Sequence, residues 1–336
     1  GFLTHTDHHL GRLLDFLRSL GKLDNTLIMV ISDNGASAEG GPTGTTNEAQ
    51  FFNNAQETLE DSLKVIDEIG GPKHFNHYPW GWTWAGNTPF RRWKREVHEG
   101  GTCDPLLVSW PAGIPETEWG GIRRQYCHAV DVLPTVLDAV GVTAPDTLGG
   151  ATQLPHAGVS LRPTFASATA PEVRTSQHYE MFGCRAMYLD GWKAVTHVSM
   201  MDGDVASDDD TWELFDTMSD PSECHDLAAA EPERLATMID AWWRAAEEHG
   251  VLPVDSQPFF EAMSRPPVTP ADLWRRQRRS TSATAPTRSP SPSRHPRAEP
   301  TGCWSRWGQA TAGTCSTCST TTSSTSTTSW RWRSRR

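Results

Sequence analysis

The sequence predicts an α/β fold, in which a sheet with flanking helices is followed by a small antiparallel-sheet subdomain and a helix. Two stretches carry this prediction. Residues 27–31, LIMVI, form a continuous apolar run that is typical of a strand buried on both faces, as in a parallel sheet covered by helices. Residues 184–198, CRAMYLDGWKAVTHV, surround Asp190-Gly191, a dipeptide that favours a hairpin turn between two strands.

Amphipathic stretches predict the helices. Residues 2–20 place five leucines on one helical face, and residues 128–141 form another helix that ends at Gly141. Residues 232–249 begin with a Pro in the first turn and form a third helix. The side of this helix that we expect to be buried contains Leu235, Met238, Ile239, Trp242 and Trp243.

We divide the chain into three parts from its pattern of predicted elements and its composition. We expect residues 1–170 to belong to an α/β domain, residues 171–260 to form the small α+β subdomain, and residues 261–336 to be a disordered tail. From residue 275 onward the chain has twelve Arg and one Glu, so residues 1–274 carry 40 acidic against 18 basic side chains, a net charge of −22. This acidic body argues against a nucleic-acid partner.

The tail has a biased composition of Ser, Thr, Pro and Arg, with four Trp as its only large apolar side chains after residue 275. Such a segment cannot bury enough apolar surface to offset the entropy of ordering it. Its Arg-Trp alternation at 330–336 would suit binding to nucleic acid. The abrupt change of composition favours the other interpretation, a shifted reading frame from about residue 275.

A polar corner, Ser32-Asp33-Asn34-Gly35, follows the first strand. Ligands of open α/β sheets bind at the carboxyl ends of strands. Asp33 offers a carboxylate and Asn34 an amide oxygen, which are donors that Ca²⁺ or Mg²⁺ prefers. The alternative is an ordinary turn, because Asp, Asn and Gly are common turn residues.

Further motifs follow in a defined order. Residues 86–101 read GNTPFRRWKREVHEGG, with Lys94 five residues before Glu99-Gly100-Gly101. An apolar strand with a Pro stop and the helix HAVDVLPTVLDAVGV come next. Together with LIMVISDNG, these motifs resemble the type I sulfatase family of the alkaline-phosphatase-like superfamily, most closely its arylsulfatase branch. The resemblance covers roughly residues 1–260.

The resemblance implies a partial alkaline-phosphatase-like sheet and the roles of three residues. Asp33 and Asn34 would bind a divalent metal, Ca²⁺ with Mg²⁺ as the alternative, and Lys94 would contact the ester of a small-molecule sulfate. The family's nucleophile is a formylglycine made from a Cys or Ser in a C/S-x-P-x-R motif, and no such motif precedes Asp33. We therefore expect the carboxyl-terminal part of a sulfatase, inactive on its own. A phosphonate or phosphodiester hydrolase, or a non-enzymatic remnant, is the alternative.

Two other segments each allow two interpretations. Between Gly35 and Pro89 we expect a helix over residues 55–69 and then an irregular aromatic run. Its aromatic side chains would either line an apolar pocket or anchor the loop by packing; they are Tyr78, Trp80, Trp82 and Trp84. An acidic loop at 202–213 partly mimics a calcium loop but lacks the Gly at position six, which favours a solvated loop.

The seven cysteines predict neither a zinc nor a redox site. Cys103, Cys127, Cys184 and Cys224 are isolated, as small buried apolar residues often are. Cys315 and Cys318 form a CxxC without a second pair or a strand–helix context. No apolar run has the length that a membrane-spanning helix needs.

Overall fold

The computed structural model describes residues 2–53, 55, 57–198, 206 and 210–254. Its α-helices, in chain order, are α1 Phe2–Ser19, α2 Glu48–Phe52, α3 Leu59–Lys64, α4 Trp80–Asn87, α5 Glu99–Thr102, α6 Val132–Val140, α7 Arg162–Phe165 and α8 Pro232–Glu248. Its strands are β1 Ile28–Ile31, β2 Leu106–Ser109, β3 Thr147–Leu148, β4 Ala151–Thr152, β5 Ser176–Met181, β6 Cys184–Leu189, β7 Trp192–Thr196 and β8 Trp212–Asp216. The predicted α/β class, with a small antiparallel sheet and a helix after it, is confirmed.

The first strand differs from its prediction in orientation and burial. β1 pairs antiparallel with β2, with Ile28 opposite Ser109 and Ile31 opposite Leu106. Val30 and Ile31 are 40% and 38% exposed, so the strand is not covered on both faces by the described residues. The expectation of a parallel, fully buried strand was wrong because an apolar run fixes neither the direction of its partner nor what covers it.

The helix predicted from the spacing of the leucines is confirmed as α1, and Gly21 follows its end. Gly21 has φ of +63°, and the amide of Lys22 donates to the carbonyl of Leu17, which completes a left-handed C-terminal cap. The leucine face contacts little within the described residues, since none of the α1 residues is buried. The sequence pattern therefore predicted the helix correctly but not the burial of its apolar face.

The second unit is a four-stranded antiparallel sheet in the order β5-β6-β7-β8. The predicted hairpin is confirmed: Leu189 pairs with Trp192 across a turn in which Asp190 and Gly191 have φ of +48° and +86°. Strand β5, which the sequence analysis did not predict, pairs along its whole length with β6. Its residues SQHYEM mix polar and apolar side chains, so the alternation of a half-buried strand is weak there.

Helix α8 packs on this sheet with the side that the sequence predicted. Met238, Trp242 and Ala246 are fully buried against Ala194 and Leu214. The indole Nε1 of Trp242 donates a hydrogen bond of 2.9 Å to the carbonyl of Tyr179. This bond satisfies the one polar atom that burying the ring would otherwise leave unpaired. The sheet and helix therefore share one apolar core.

The segment between β1 and β2 is more ordered than expected. In place of the single helix predicted over residues 55–69, the structure has the shorter helix α3 and then a 3-10 turn at Ile66–Glu68. The aromatic run forms helix α4 rather than an irregular loop. Thr83 in α4 is buried and donates its hydroxyl to the carbonyl of Ser37, which holds the helix against the residues after β1.

The tail from residue 255 and most of the acidic loop lie outside the described residues. Disorder of the tail, the shifted frame and the solvated loop therefore remain predictions. Among the described helices, none combines the length and apolar character needed to cross a bilayer.

Replacing Trp242 by Ala should lower the free energy of unfolding by about 3–5 kcal/mol, because a large buried side chain leaves a cavity. Trp82→Ala is the matched control, since that ring is 70% exposed, and its change should stay within about 0.5 kcal/mol. Urea denaturation followed by circular dichroism measures both. Equal effects of the two substitutions would contradict the placement of α8.

Candidate active site

The polar corner after β1 lies directly against the Glu-Gly-Gly turn. A Cβ atom at Gly35 would collide with the carbonyl oxygen of Gly100, and one at Gly100 would collide with the carbonyls of Arg91 and Arg92. Only glycine permits these backbones to approach so closely. Two motifs that are about 65 residues apart in the sequence are therefore neighbours in the fold.

Asn87 joins the same segments by hydrogen bonds. Its side-chain oxygen accepts from the amide of Ala36 at 3.3 Å. Its side-chain nitrogen donates to the carbonyls of Arg92 and Gly100 at 2.8 and 2.7 Å. One amide group thus ties the corner, the segment before Lys94 and the turn together.

Lys94 lies beside the corner, as its predicted role requires. Its backbone amide donates to the carbonyl of Ala36 at 3.0 Å, two residues after Asn34. Its Nζ atom forms an ion pair of 3.0 Å with Oε2 of Glu39. The structure thus brings Lys94 close to Asp33 and Asn34 through the backbone and directs its ammonium toward a second carboxylate.

Glu39 is the centre of a polar network that the sequence analysis missed. The hydroxyl of Ser37 donates to Glu39 at 2.8 Å, and Nε2 of His77 lies 2.9 Å from the same hydroxyl. Burial alone would raise the pKa of Glu39, but hydrogen bonds from Lys94 and Ser37 outweigh it and lower the pKa below its usual value. His77 is part of this network.

Glu39, Glu48 and His77 also bring their possible metal-ligating atoms within 4.8 Å of one another. The ammonium of Lys94 already neutralises Glu39 there. A dication in the same place would lie beside a positive charge, so this cluster is better suited to holding Lys94 than to holding a metal.

Asp104 is a further carboxylate near the corner. It is buried, and its Oδ2 atom has no hydrogen-bond partner among the described residues. Burial, with the negative charges of Asp33 and Glu99, raises the pKa of Asp104 to about 7. A divalent cation would relieve this repulsion, and the oxygen donors of Asp33, Asn34 and Asp104 suit a hard cation. The sequence signal was a single acid three residues after the Glu-Gly-Gly turn.

The turn itself is anchored by the four-stranded sheet. Nζ of Lys193 in β7 donates to Oε1 of Glu99 at 2.7 Å and to the hydroxyl of Thr102 at 2.8 Å. Oε2 of Glu223 accepts from the backbone amide of Glu99 at 2.9 Å. Burial raises the pKa of Glu223 above its usual value. The positive charge of Lys193 lowers this pKa, and the negative charge of Glu99 raises it further.

A second set of contacts holds the segments on either side of Lys94. Nη1 of Arg91 and Nε2 of His98 lie 2.9 and 3.1 Å from the two carboxylate oxygens of Glu213 in β8. Burial lowers the pKa of His98 below its usual value. Arg91 is half-buried at this junction. His98 has a structural role, and the sequence analysis gave it no catalytic one.

The four aromatic residues of the excursion do not form one pocket. Trp80 and Trp84 pack on Trp93 with ring centroids 5.8 and 5.7 Å apart, so they act as packing anchors. Trp82 and Tyr78 are exposed. A cavity of about 380 Å³ in this segment is lined instead by mostly polar residues, among them Glu57, Lys73 and His74.

Two family models match this chain. The model for sulfatases matches residues 1–142, and the model for the carboxyl-terminal region of N-sulphoglucosamine sulphohydrolase matches residues 91–242. Together the two models cover residues 1–242, which is more than two thirds of the chain. This range includes the corner and Lys94. Over residues 1–242 the chain is therefore similar to sulfatases.

Curated relatives agree with this family. An uncharacterized sulfatase of Schizosaccharomyces pombe is 27% identical over 73% of this chain and 42% of its own length. The arylsulfatase of Klebsiella aerogenes is 27% identical over 54% of this chain and 36% of its own. The N-acetylglucosamine-6-O-sulfatase of Bacteroides thetaiotaomicron is 25% identical over 66% of this chain and 30% of its own length. The chain therefore spans less than half the length of these relatives.

One similar solved structure is that of Ps i-CgsB in complex with k-i-k-neocarrahexaose, which is 20% identical in sequence. The match covers 82% of this chain and 48% of the Ps i-CgsB chain, with a TM-score of 0.47. This likeness is too weak to transfer the role of any residue.

Stability below neutral pH should depend on Glu213. Hydrogen bonds from His98 and then Arg91 lower its pKa from 4.5 to about 2. Because the folded pKa is the lower one, the contribution of Glu213 is complete above pH 4.5 and is lost as the pH falls toward 2. Glu213→Gln should reduce the free energy of unfolding at pH 7 and flatten its decline between these values.

Glu247→Gln, an exposed change on α8, is the control and should leave the pH profile unchanged. Urea titrations at a series of pH values measure both variants. A Glu213→Gln profile parallel to that of the unsubstituted chain would contradict the role given to this carboxylate.

Proposed function

We propose that the protein hydrolyses a sulfate ester, with Asp33 and Asn34 holding a divalent cation and Lys94 neutralising the sulfate oxygens. The observation that carries this proposal is the hydrogen bond from the Lys94 amide to Ala36, which sets the lysine beside the metal-binding corner. The match of the sulfatase model to residues 1–142 supports the reaction class.

The cation that we propose is Ca²⁺, as the sulfatase resemblance implies, with Mg²⁺ as the alternative. Asp33, Asn34 and the buried Asp104 offer oxygen donors only, and hard cations bind oxygen. When bound, such a cation polarises the sulfate and neutralises charge that develops on its oxygens. The unsatisfied Oδ2 of Asp104 supports the fit of a cation near this corner.

Lys94 would act through its position and charge. Its contact with Glu39 fixes the direction of the side chain, and Ser37 and His77 in turn fix Glu39. An ammonium held in place before the reaction stabilises a developing negative charge without having to reorganise. Glu39 is thus a positioning residue for Lys94.

The substrate class is an aryl or sugar sulfate. The arylsulfatase branch is favoured by the motifs around Lys94, whereas one relative is an N-acetylglucosamine-6-O-sulfatase. The exposed rings of Tyr78 and Trp82 lie in the segment that leads to Lys94, where they would suit the face of a phenol or a sugar. A phosphonate or phosphodiester substrate is the alternative within the same superfamily.

The 336 residues contain no C/S-x-P-x-R motif. Because the covalent step needs a nucleophile, we propose that this polypeptide by itself does not turn over sulfate esters. Its contribution to catalysis is then the metal corner and Lys94, and assays of catalysis require the longest natural protein that contains this sequence.

In that longest protein, Asp33→Ala and Lys94→Ala should each lower the hydrolysis of an aryl sulfate by about 10²–10³-fold, because each removes a fixed group that stabilises charge. Asp240→Ala, on the exposed side of α8, is the control and should retain full activity. Chelation of divalent cations should abolish turnover, and added Ca²⁺ should restore it.

Parallel assays with an aryl phosphodiester and a sugar 6-sulfate separate the substrate classes. Undiminished sulfate hydrolysis in Asp33→Ala would overturn the assignment of the metal corner. Faster turnover of the phosphodiester than of both sulfates would overturn the sulfatase assignment.

A further inference from the structure

A second cluster of metal-ligating side chains lies at the junction between the segment after Lys94 and the four-stranded sheet. Glu96 precedes the Glu-Gly-Gly turn, Cys184 begins β6, and His197 follows β7. One ligand atom from each of the three lies within 4.8 Å of the other two. None of the three belongs to the corner that holds Asp33 and Asn34.

The chemistry of these donors differs from that of the corner. A thiolate, an imidazole and a carboxylate are the ligands that zinc takes, whereas Ca²⁺ and Mg²⁺ take oxygen. Zn²⁺ bound to one thiolate, one carboxylate and a neutral imidazole forms a site without net charge. Such neutrality suits a junction where Cys184 is only 2% exposed.

Hydrogen bonds hold the three side chains in place at the junction. Nδ1 of His197 lies 2.9 Å from Oε2 of Glu96. Sγ of Cys184 accepts from the amide of Val198 at 3.3 Å. Donor atoms of a tetrahedral zinc site lie about 3.5 Å apart, so the side chains need to move by only on the order of 1 Å. The His197 side chain is 27% exposed, which gives an ion a route from solvent.

We propose that Glu96, Cys184 and His197 form a zinc site that fastens the segment after Lys94 to the four-stranded sheet. The thiol of Cys184 gives its proton to solvent as the sulfur–zinc bond forms, and the bond between Glu96 and His197 is replaced by two bonds to the metal. A water molecule completes the tetrahedron. This inference does not rest on the proposed sulfatase activity.

The test uses the full 336-residue chain with Cys315→Ser and Cys318→Ser, because the CxxC of the tail is another source of thiolate. Zinc is added, excess ion is removed by gel filtration, and bound zinc is measured by elemental analysis. Cobalt loading provides a direct signature, since a thiolate bound to Co²⁺ gives a charge-transfer band. We expect about one zinc per chain and a clear band.

Cys184→Ala should remove the cobalt band and weaken zinc binding by more than roughly tenfold. His197→Ala and Glu96→Gln should weaken binding while the band persists at high cobalt. Cys127→Ala is the matched control, because it removes another buried cysteine, and should change neither measurement.

Absence of the cobalt band before any substitution in the cluster would overturn the proposal, and this result does not depend on how a variant folds. Equal zinc content in Cys184→Ala and Cys127→Ala would overturn it as well. Failure of the sulfatase proposal would not affect this test, because zinc binding is measured without substrate.

Discussion

The buried ion pair between Lys193 and Glu99 is the interaction on which the candidate active site depends. Lys193 is 1% exposed, and its Nζ lies 2.7 Å from the Glu99 carboxylate. Both charges are withdrawn from water, so removing either leaves the other uncompensated, which typically costs about 3–5 kcal/mol. The hydroxyl of Thr102 and the carboxyl of Glu223 complete the surroundings of this pair.

The consequences of this pair extend to the Ser32–Gly35 corner through short contacts. Glu99 begins the turn whose Gly100 packs against Gly35, and Asn87 binds both Gly100 and Ala36. Lys94 precedes the turn and donates its amide to Ala36. The sheet that supplies Lys193 is therefore part of the support of the site rather than an appendage. The two family models overlap on residues 91–142, which include Lys94 and Glu99.

Local features of the sequence predicted the local structure well. The Asp190-Gly191 turn and the apolar side of α8 follow from backbone preference and helical period, and both are confirmed. The direction and burial of β1 were wrong because they depend on distant residues. The aromatic run at 80–87 forms a helix that is stabilised by Thr83 bonding to Ser37, a contact between residues far apart in the chain.

The site shows the same division. Asp33, Asn34 and Lys94 were recognisable because motifs of fixed order surround them, and their proximity now rests on the contacts to Ala36. Their roles remain predictions. Lys193, Glu213 and Asp104 gave no such signal, since a single charged residue in a strand or loop has no periodicity. Only the fold shows that Lys193 meets Glu99 from 94 residues away.

A double-mutant cycle tests this central claim most directly. Lys193→Met, Glu99→Gln and the double variant are unfolded in urea, with the exposed Lys64–Asp61 pair as the comparison cycle. Lys193→Met alone should cost about 3–5 kcal/mol, and the double variant should cost little more, giving a coupling energy above about 1 kcal/mol. The Lys64–Asp61 coupling should be clearly smaller, because both partners are exposed and screened by water. Additive effects of Lys193→Met and Glu99→Gln, within about 0.5 kcal/mol, would contradict the account.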